Sequence, residues 1–183
     1  MKSDVVDQKF SLLFDWFDQD RDGQLTPQDL EATAAVFAGV AKEEDHDNRA
    51  AFHSAFAQWW RLLEEADTDG DGRISRTEFI TMMQDSVTTP AHFENVVMAI
   101  IEAIVNVTDT DGDGVLSRDE YVALYQALGV PAEQCGPAFD RVDLDGDGVI
   151  SHAEYRAAIV EFYFSTDPEA PGNHLLGMLV QPT

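Results

Sequence analysis

Positive charge is what this chain has least of. Eleven Lys and Arg stand against 35 Asp and Glu in 183 residues, a formal net charge of −24. With no basic face to neutralise phosphates, no nucleic-acid partner is expected. Cysteine is nearly missing too: Cys135 is alone, so no intrachain disulfide can form, and a lone Cys on a helical apolar face reads as a small core residue. No stretch approaches ~18 uninterrupted apolar residues, and the start, MKSDVVDQKF, has no apolar signal core. Position 2 is Lys rather than Gly, and no prenylation motif closes the sequence, so no lipid anchor is expected. These absences lead us to expect a cytoplasmic monomer with no membrane partner. Apart from Met1, methionine is limited to Met82, Met83, Met98 and Met178. The five histidines (His46, His53, His92, His152, His174) show no zinc-binding spacing, and there is no Gly-rich phosphate loop. An enzyme is not expected.

Hydrophobic residues make up 44% of the chain, enough for a packed core despite the acidity. The acids themselves are ordered. Four twelve-residue segments repeat: Asp18–Asp29 (DQDRDGQLTPQD), Asp67–Glu78 (DTDGDGRISRTE), Asp109–Glu120 (DTDGDGVLSRDE) and Asp143–Glu154 (DLDGDGVISHAE). Each carries Asp at positions 1, 3 and 5, Gly at 6, an aliphatic residue at 8, a hydroxyl at 9 and an acid at 12. Ca²⁺ is a hard cation that takes roughly six to eight oxygens at ~2.3–2.6 Å, so a chain must wrap around it and supply oxygens from alternating positions. Gly at position 6 allows the sharp turn. This is the EF-hand calcium loop, and four copies predict up to four Ca²⁺ ions. Sixteen of the 35 acids lie at these loop positions, and four divalent ions would cancel a third of the net charge.

The predicted ligands of site 1 are Asp18, Asp20, Asp22 and Asp29 with the Gln24 carbonyl and, directly or through water, Thr26. Site 2 uses Asp67, Asp69, Asp71 and Glu78, the Arg73 carbonyl and Ser75. Site 3 uses Asp109, Asp111, Asp113 and Glu120, the Val115 carbonyl and Ser117. Site 4 uses Asp143, Asp145, Asp147 and Glu154, the Val149 carbonyl and Ser151. Loop 1 differs from the rest, because Asp29 is one methylene shorter than Glu78, Glu120 and Glu154. A two-oxygen grip needs the longer reach, so site 1 is expected to be weaker for Ca²⁺ or tolerant of Mg²⁺.

Helical periodicity flanks every loop. Positions −1, −4, −5 and −8 read Phe17, Phe14, Leu13, Phe10; Ala66, Leu63, Leu62, Trp59; Thr108, Val105, Ile104, Ile101; and Val142, Phe139, Ala138, Cys135. Beyond the loops, position 13 is Leu30, Phe79, Tyr121 or Tyr155, with Phe37, Met82, Leu124 and Phe162 further on. The fold class is therefore all-α: four helix–loop–helix units in two pairs, packed into one compact body. Hydroxyl and acid at positions 9 and 12 (Thr26/Asp29, Ser75/Glu78, Ser117/Glu120, Ser151/Glu154) have capping-box spacing, which ties each loop to its outgoing helix. Loop starts lie 49, 42 and 34 residues apart. We expect a first pair in 1–88 and a second in 89–166, divided at Thr88-Thr89-Pro90, with a tail in 167–183 packing on the body. Lys42–Asn48 reads as a long polar connection. Gly129-Val130-Pro131 breaks a helix, and Gly136-Pro137 blurs the start of the next.

The chain resembles the sarcoplasmic calcium-binding proteins and calerythrin in its four loops, their uneven spacing and the segment Phe162–Pro168 followed by Ala170-Pro171-Gly172-Asn173 and Leu175-Leu176-Gly177. The resemblance implies pairing of the position-8 residues (Leu25, Ile74, Leu116, Ile150) within two EF-hand pairs packed face to face. It also implies a cytosolic calcium buffer. Members of that family often carry one or two degenerate loops, whereas none of these four is degenerate. The alternative is a sensor that exposes apolar surface to a protein partner, which few methionines and many rigid aromatics disfavour. Trp16, Trp59 and Trp60 read as core, one of the adjacent pair being partly exposed, and Leu175–Val180 as a lid. A third, remote reading is a ligand carrier similar to coelenterazine photoproteins. The histidines form no convincing set for it: His46 lies in the polar connection, His152 in loop 4 and His174 in the tail, with His53 and His92 at the surface or a helix end.

Overall fold

A computed structural model describes residues 4–176. Among them the all-α expectation holds, the only extended pieces being short strands inside the loops. Helix α1 (Asp4–Phe17) leads into loop 1, which ends in β1 (Gln24–Leu25) and α2 (Pro27–Val40). Helix α3 (His46–Leu63) leads into loop 2, then β2 (Ile74–Ser75) and α4 (Arg76–Met82), which widens through Met83–Val87. After Thr88 and Thr89 a continuous helical run begins with α5 (Pro90–His92) and ends as α6 (Met98–Thr108). Loop 3 passes through β3 (Val115–Ser117) to α7 (Arg118–Ala127). Helix α8 (Ala132–Val142) precedes loop 4, β4 (Val149–Ser151) and α9 (His152–Phe164), and a short turn of helix follows at Pro171–His174.

The described residues form two compact units, one of Phe10–Val107 and one of residues 4–9 with 108–176. The periodic positions explain both. Of the sixteen incoming-helix residues read from sequence, all are buried except Ile101, which is half-buried. The first unit is built on aromatic rings. Phe37, Phe52 and Phe56 stack within 4.9 and 4.7 Å of one another in sequence, Phe17 lies 6.2 Å from both Phe56 and Trp59, and Phe14 meets Phe79 edge-on at 5.6 Å. Each such ring contributes about 1.5–3 kcal/mol by leaving water, plus a smaller term from ring geometry. Trp59 is fully buried and Trp60 partly exposed, as read for the adjacent pair, whereas Trp16 is half-buried rather than core; the Trp60 indole donates to Glu64 at 2.8 Å.

In the other unit Tyr121 stacks on Tyr125 at 4.3 Å and meets Phe139 at 5.5 Å, while the Tyr125 and Tyr155 hydroxyls share a hydrogen bond of 3.0 Å. Burial raises the pKa of all three tyrosines, Tyr155 to about 12. The segment after α9 folds back on it. Gly172 sits so close that a Cβ there would lie 2.3 Å from the Ala158 carbonyl oxygen, which only glycine tolerates. The Lys9 ammonium is wholly buried and donates to Glu161 O (3.2 Å), Ser165 O (2.7 Å) and Asn173 Oδ1 (3.1 Å). It thus caps the carbonyl end of α9, where a cation is favoured. His174, read from sequence as a plain tail residue, is buried, with its Nδ1 unpartnered. The lid reading of Leu175–Val180 is described only through Leu176; the remainder lies outside the described residues.

Two readings of connections change. Lys42–Asn48 is not all loop: Asp45 caps α3, accepting from the Asn48 amide at 3.4 Å and its side-chain amide at 2.7 Å, so His46 is already helical. Gly136-Pro137 does not begin α8 but falls inside it. The run Pro90–Thr108 is 19 residues with mean hydropathy 1.2, long and apolar enough to cross a membrane, yet half of that window is buried. Its exposed positions after Ala91 are Glu94, Asn95, Glu102 and Asn106, the pattern of a core helix with one polar side.

Candidate metal centre

Each loop is organised by its first aspartate. Asp67 accepts from the Gly70 and Gly72 amides at 2.7 and 2.9 Å, Asp109 from Gly112 and Gly114 at 2.7 and 2.9 Å, and Asp143 from Gly146 and Gly148 at 2.8 and 3.0 Å. Both oxygens thereby pull the backbone into a tight ring. In loop 1, Asp18 accepts from Asp22 and Gly23 at 3.1 and 3.0 Å. Position 4 there is Arg21, at φ 59°, the one non-glycine residue with positive φ among those described. Loops 2, 3 and 4 place Gly70, Gly112 and Gly146 at that position, at φ 75°, 75° and 73°. The position-5 aspartates hold the next step, each accepting from the amide of Gln24, Arg73, Val115 or Val149 at 2.8–3.0 Å.

The twelfth residue closes each ring. Glu78 Oε1 accepts from the Thr68 amide at 2.9 Å and its Oε2 from the Ser75 amide at 3.0 Å, while the Ser75 hydroxyl donates to the same carboxylate at 2.8 Å. Glu120 does the same with Thr110 and Ser117, and Glu154 with Leu144 and Ser151. The Ser75 amide and hydroxyl and then Thr68 hold Glu78 at about pKa 2. For Glu120 and Glu154 burial pushes upward, but the same kinds of hydrogen bond outweigh it and both lie below the ordinary range. Asp29, although shorter, spans the same gap: it accepts from Gln19 N at 3.2 Å, Thr26 N at 2.9 Å and the Thr26 hydroxyl at 2.7 Å.

Carboxylate oxygens converge in every loop, with one atom from each of three acids within 4.8 Å of one another. The sets are Asp18/Asp20/Asp22, Asp67/Asp69/Asp71, Asp109/Asp111/Glu120 and Asp143/Asp145/Glu154. Asp29 and Glu78 stand outside the first two sets, and Asp113 and Asp147 outside the others. Position 12 therefore differs between the pairs, not between Asp and Glu. Three converging carboxylates with a fourth acid on the loop are the hard, all-oxygen donor set that Ca²⁺ takes, and the residues fit that ion. Gln24, Val115 and Val149 lie on the strands that join the loops and Arg73 immediately precedes β2; the strands are antiparallel, with Leu25 opposite Ile74 and Leu116 opposite Ile150. All four position-8 side chains are buried, so the loops pair as expected, 1 with 2 and 3 with 4.

Sequence reading missed several polar contacts. The Arg73 guanidinium lies 3.6 Å from the Asp22 carboxylate of the paired loop, and Arg76 and Arg118 form ion pairs with Asp15 and Asp140. Asp18 and Asp29 are the only buried carboxylates among the described residues. The Arg21 anomaly was visible in sequence, as the one loop without glycine at position 4.

An EF-hand domain-pair model matches residues 7–84, a second EF-hand domain-pair model residues 101–128, and an EF-hand model residues 137–160. Among curated proteins no relative matches. Several solved structures do. A calcium-binding protein of Streptomyces coelicolor is 29% identical, covering 86% of this chain and 97% of its own, at TM-score 0.71. The sarcoplasmic calcium-binding protein of amphioxus covers 100% of both chains at 20% identity and TM-score 0.71. The coelenterazine-binding protein of Renilla muelleri is 24% identical over 93% of each chain, at TM-score 0.64.

Proposed function

We propose that this chain, which belongs to the EF-hand superfamily and is similar to the sarcoplasmic calcium-binding proteins, is a cytoplasmic Ca²⁺ buffer with four working sites. The observation that carries the reading is the convergence of three carboxylates in all four loops, with no loop lost. A storage protein gains capacity from each intact site, whereas a switch needs only enough sites to move a helix. Bound Ca²⁺ would supply two positive charges at each cluster. Asp at positions 1, 3 and 5, the acid at position 12 and the carbonyls of Gln24, Arg73, Val115 and Val149 would hold it. Sites 2 to 4 are proposed to bind with sub-micromolar Kd, below ~10⁻⁶ M, within the span of EF-hand buffers and the tighter sensors. Site 1 is proposed to be weaker for Ca²⁺ or to accept Mg²⁺, since Asp29 is short, Arg21 adds a cation to the loop and Arg73 pairs with Asp22. The single cysteine is a buried free thiol, as a reducing compartment allows.

A second reading has specific support. The Streptomyces coelicolor relative is described as acting in prokaryotic calcium-mediated regulation. Here Val160 and Phe164, one turn apart on α9, are 37% and 45% exposed. A sensor would use such a surface for a protein partner. The likeness to the coelenterazine-binding protein is one of fold. Calorimetric titration with Ca²⁺, with and without millimolar Mg²⁺, tests the buffer reading: four uptake steps are expected, with Mg²⁺ displacing one. Uptake of fewer than three ions would refute it. A large Ca²⁺-dependent rise in binding of an apolar dye would move the assignment to sensor.

A further inference from the structure

We propose that Arg76 and Arg118 are positioning residues that couple the two ion sites within each pair of loops; this rests on the reading of the loops as Ca²⁺ sites. Arg76 stands at position 10 of loop 2, in the first turn of α4 and two residues before Glu78. It turns away from its own loop. Its Nη1 donates to Ser11 O at 3.0 Å, its Nη2 pairs with the Asp15 carboxylate, and its guanidinium lies 4.5 Å from the centre of the Phe14 ring. All three partners are on α1, the helix that delivers loop 1.

Arg118 repeats this at position 10 of loop 3. Its Nη1 donates to Gly136 O at 3.4 Å, its Nη2 pairs with Asp140, and its guanidinium lies 4.5 Å from the Phe139 ring centre, all on α8, which delivers loop 4. Counted back from the first Asp of the receiving loop, the carbonyl, ring and carboxylate fall at −7, −4 and −3 in both cases. The receiving ring has a second neighbour at position 13 of the donating loop: Phe14 meets Phe79 at 5.6 Å and 72°, and Phe139 meets Tyr121 at 5.5 Å and 77°. The local sequences are unlike (SLLFD against GPAFD), yet the contact set is the same. The arrangement has one direction, because position 10 is Pro27 in loop 1 and His152 in loop 4.

The physical consequence follows from where the contacts sit. The position-12 carboxylate and the position-10 arginine share the first turn of one helix, so any tilt of that turn as Glu78 or Glu120 takes up an ion is carried by the arginine. The far end of the contact includes the ring four residues before the first ligand of the other loop, which is fully buried and cannot slide freely. Occupancy of one site thus biases the geometry of its partner, which is coupling in the thermodynamic sense.

The test uses the full chain with one pair silenced. Asp109→Asn with Asp143→Asn leaves sites 1 and 2, and calorimetry gives their stepwise constants. Adding Arg76→Gln is expected to lower the second-ion affinity about three- to tenfold, the size set by an exposed ion pair and a stacked guanidinium, while the first-ion constant and helix content by circular dichroism stay unchanged. Asp15→Asn should give the same loss, and the double variant no more. With Asp18→Asn and Asp67→Asn instead, Arg76→Gln should have no effect and Arg118→Gln should reproduce the loss. A purely structural arginine would weaken both ions equally, and that result overturns the proposal, as does an unchanged ratio of constants. No Ca²⁺ uptake by the unsubstituted chain would overturn the underlying reading and the coupling with it.

Discussion

Raising the pH from 7 toward 10 should stabilise this protein, and Lys9 is the reason. Its ammonium is fully buried, and burial lowers its pKa from 10.5 to about 8, partly opposed by the charge of Glu161. In the unfolded chain the same group titrates near 10.5. Between those values the unfolded state binds more protons than the folded one, so stability climbs with pH. The slope approaches ~1.4 kcal/mol per pH unit for one proton, and the total gain is on the order of 3 kcal/mol. The three acceptors around the ammonium hold the proton and set that as a ceiling. Above pH 10 the sign reverses. Tyr121, Tyr125, Tyr155 and Tyr163 have pKa values raised by burial, so the folded state keeps protons that the unfolded chain loses. Cys135, also raised by burial, pulls the same way from a lower pH. Urea unfolding in saturating Ca²⁺ at half-unit steps of pH measures the profile, with Lys9→Met as the control that shares every other group. The wild-type curve should rise relative to Lys9→Met from about pH 8 and then run parallel to it. Parallel curves throughout would show that Lys9 keeps its ordinary pKa and that the burial argument is wrong.

Other substitutions probe single features. Arg21→Gly removes a side chain from φ 59° and should raise stability by roughly 1 kcal/mol, read as a higher melting temperature; a lower one would contradict the strain argument. Asp29→Glu should tighten Ca²⁺ binding at site 1 and reduce Mg²⁺ competition there, measured by calorimetry; unchanged selectivity would mean that length at position 12 is not what matters. Gly172→Ala places a methyl 2.3 Å from the Ala158 oxygen and should cost about 1–3 kcal/mol in urea unfolding, with little effect on loops 1 and 2.

Much of this was legible in the residues because ligand chemistry and helix periodicity are local. The loops, their caps and the buried faces follow from spacing alone, and the pairing of Leu25 with Ile74 and Leu116 with Ile150 followed from the resemblance to EF-hand proteins. What escaped depends on distant partners. Nothing near Lys9 announces that Ser165 and Asn173 will surround it, and a lysine in a helix reads as solvated. Arg76 and Arg118 look like ordinary surface charges until α1 and α8 are brought beside them. His174 looks like a tail residue because its burial is decided by how Gly172 fits against α9. The polar segment Lys42–Asn48 misled through composition, since one aspartate in the right place starts a helix within it.

The Lys9 contact has a practical corollary for anyone dissecting the molecule. Cleaving the gene at the Thr88–Pro90 junction would seem to yield two tidy fragments of two loops each. The second fragment would lack the lysine that satisfies the last carbonyls of α9 and anchors Asn173. Produced separately, it should melt early and fray at its final helix until a peptide spanning the first helix is added back.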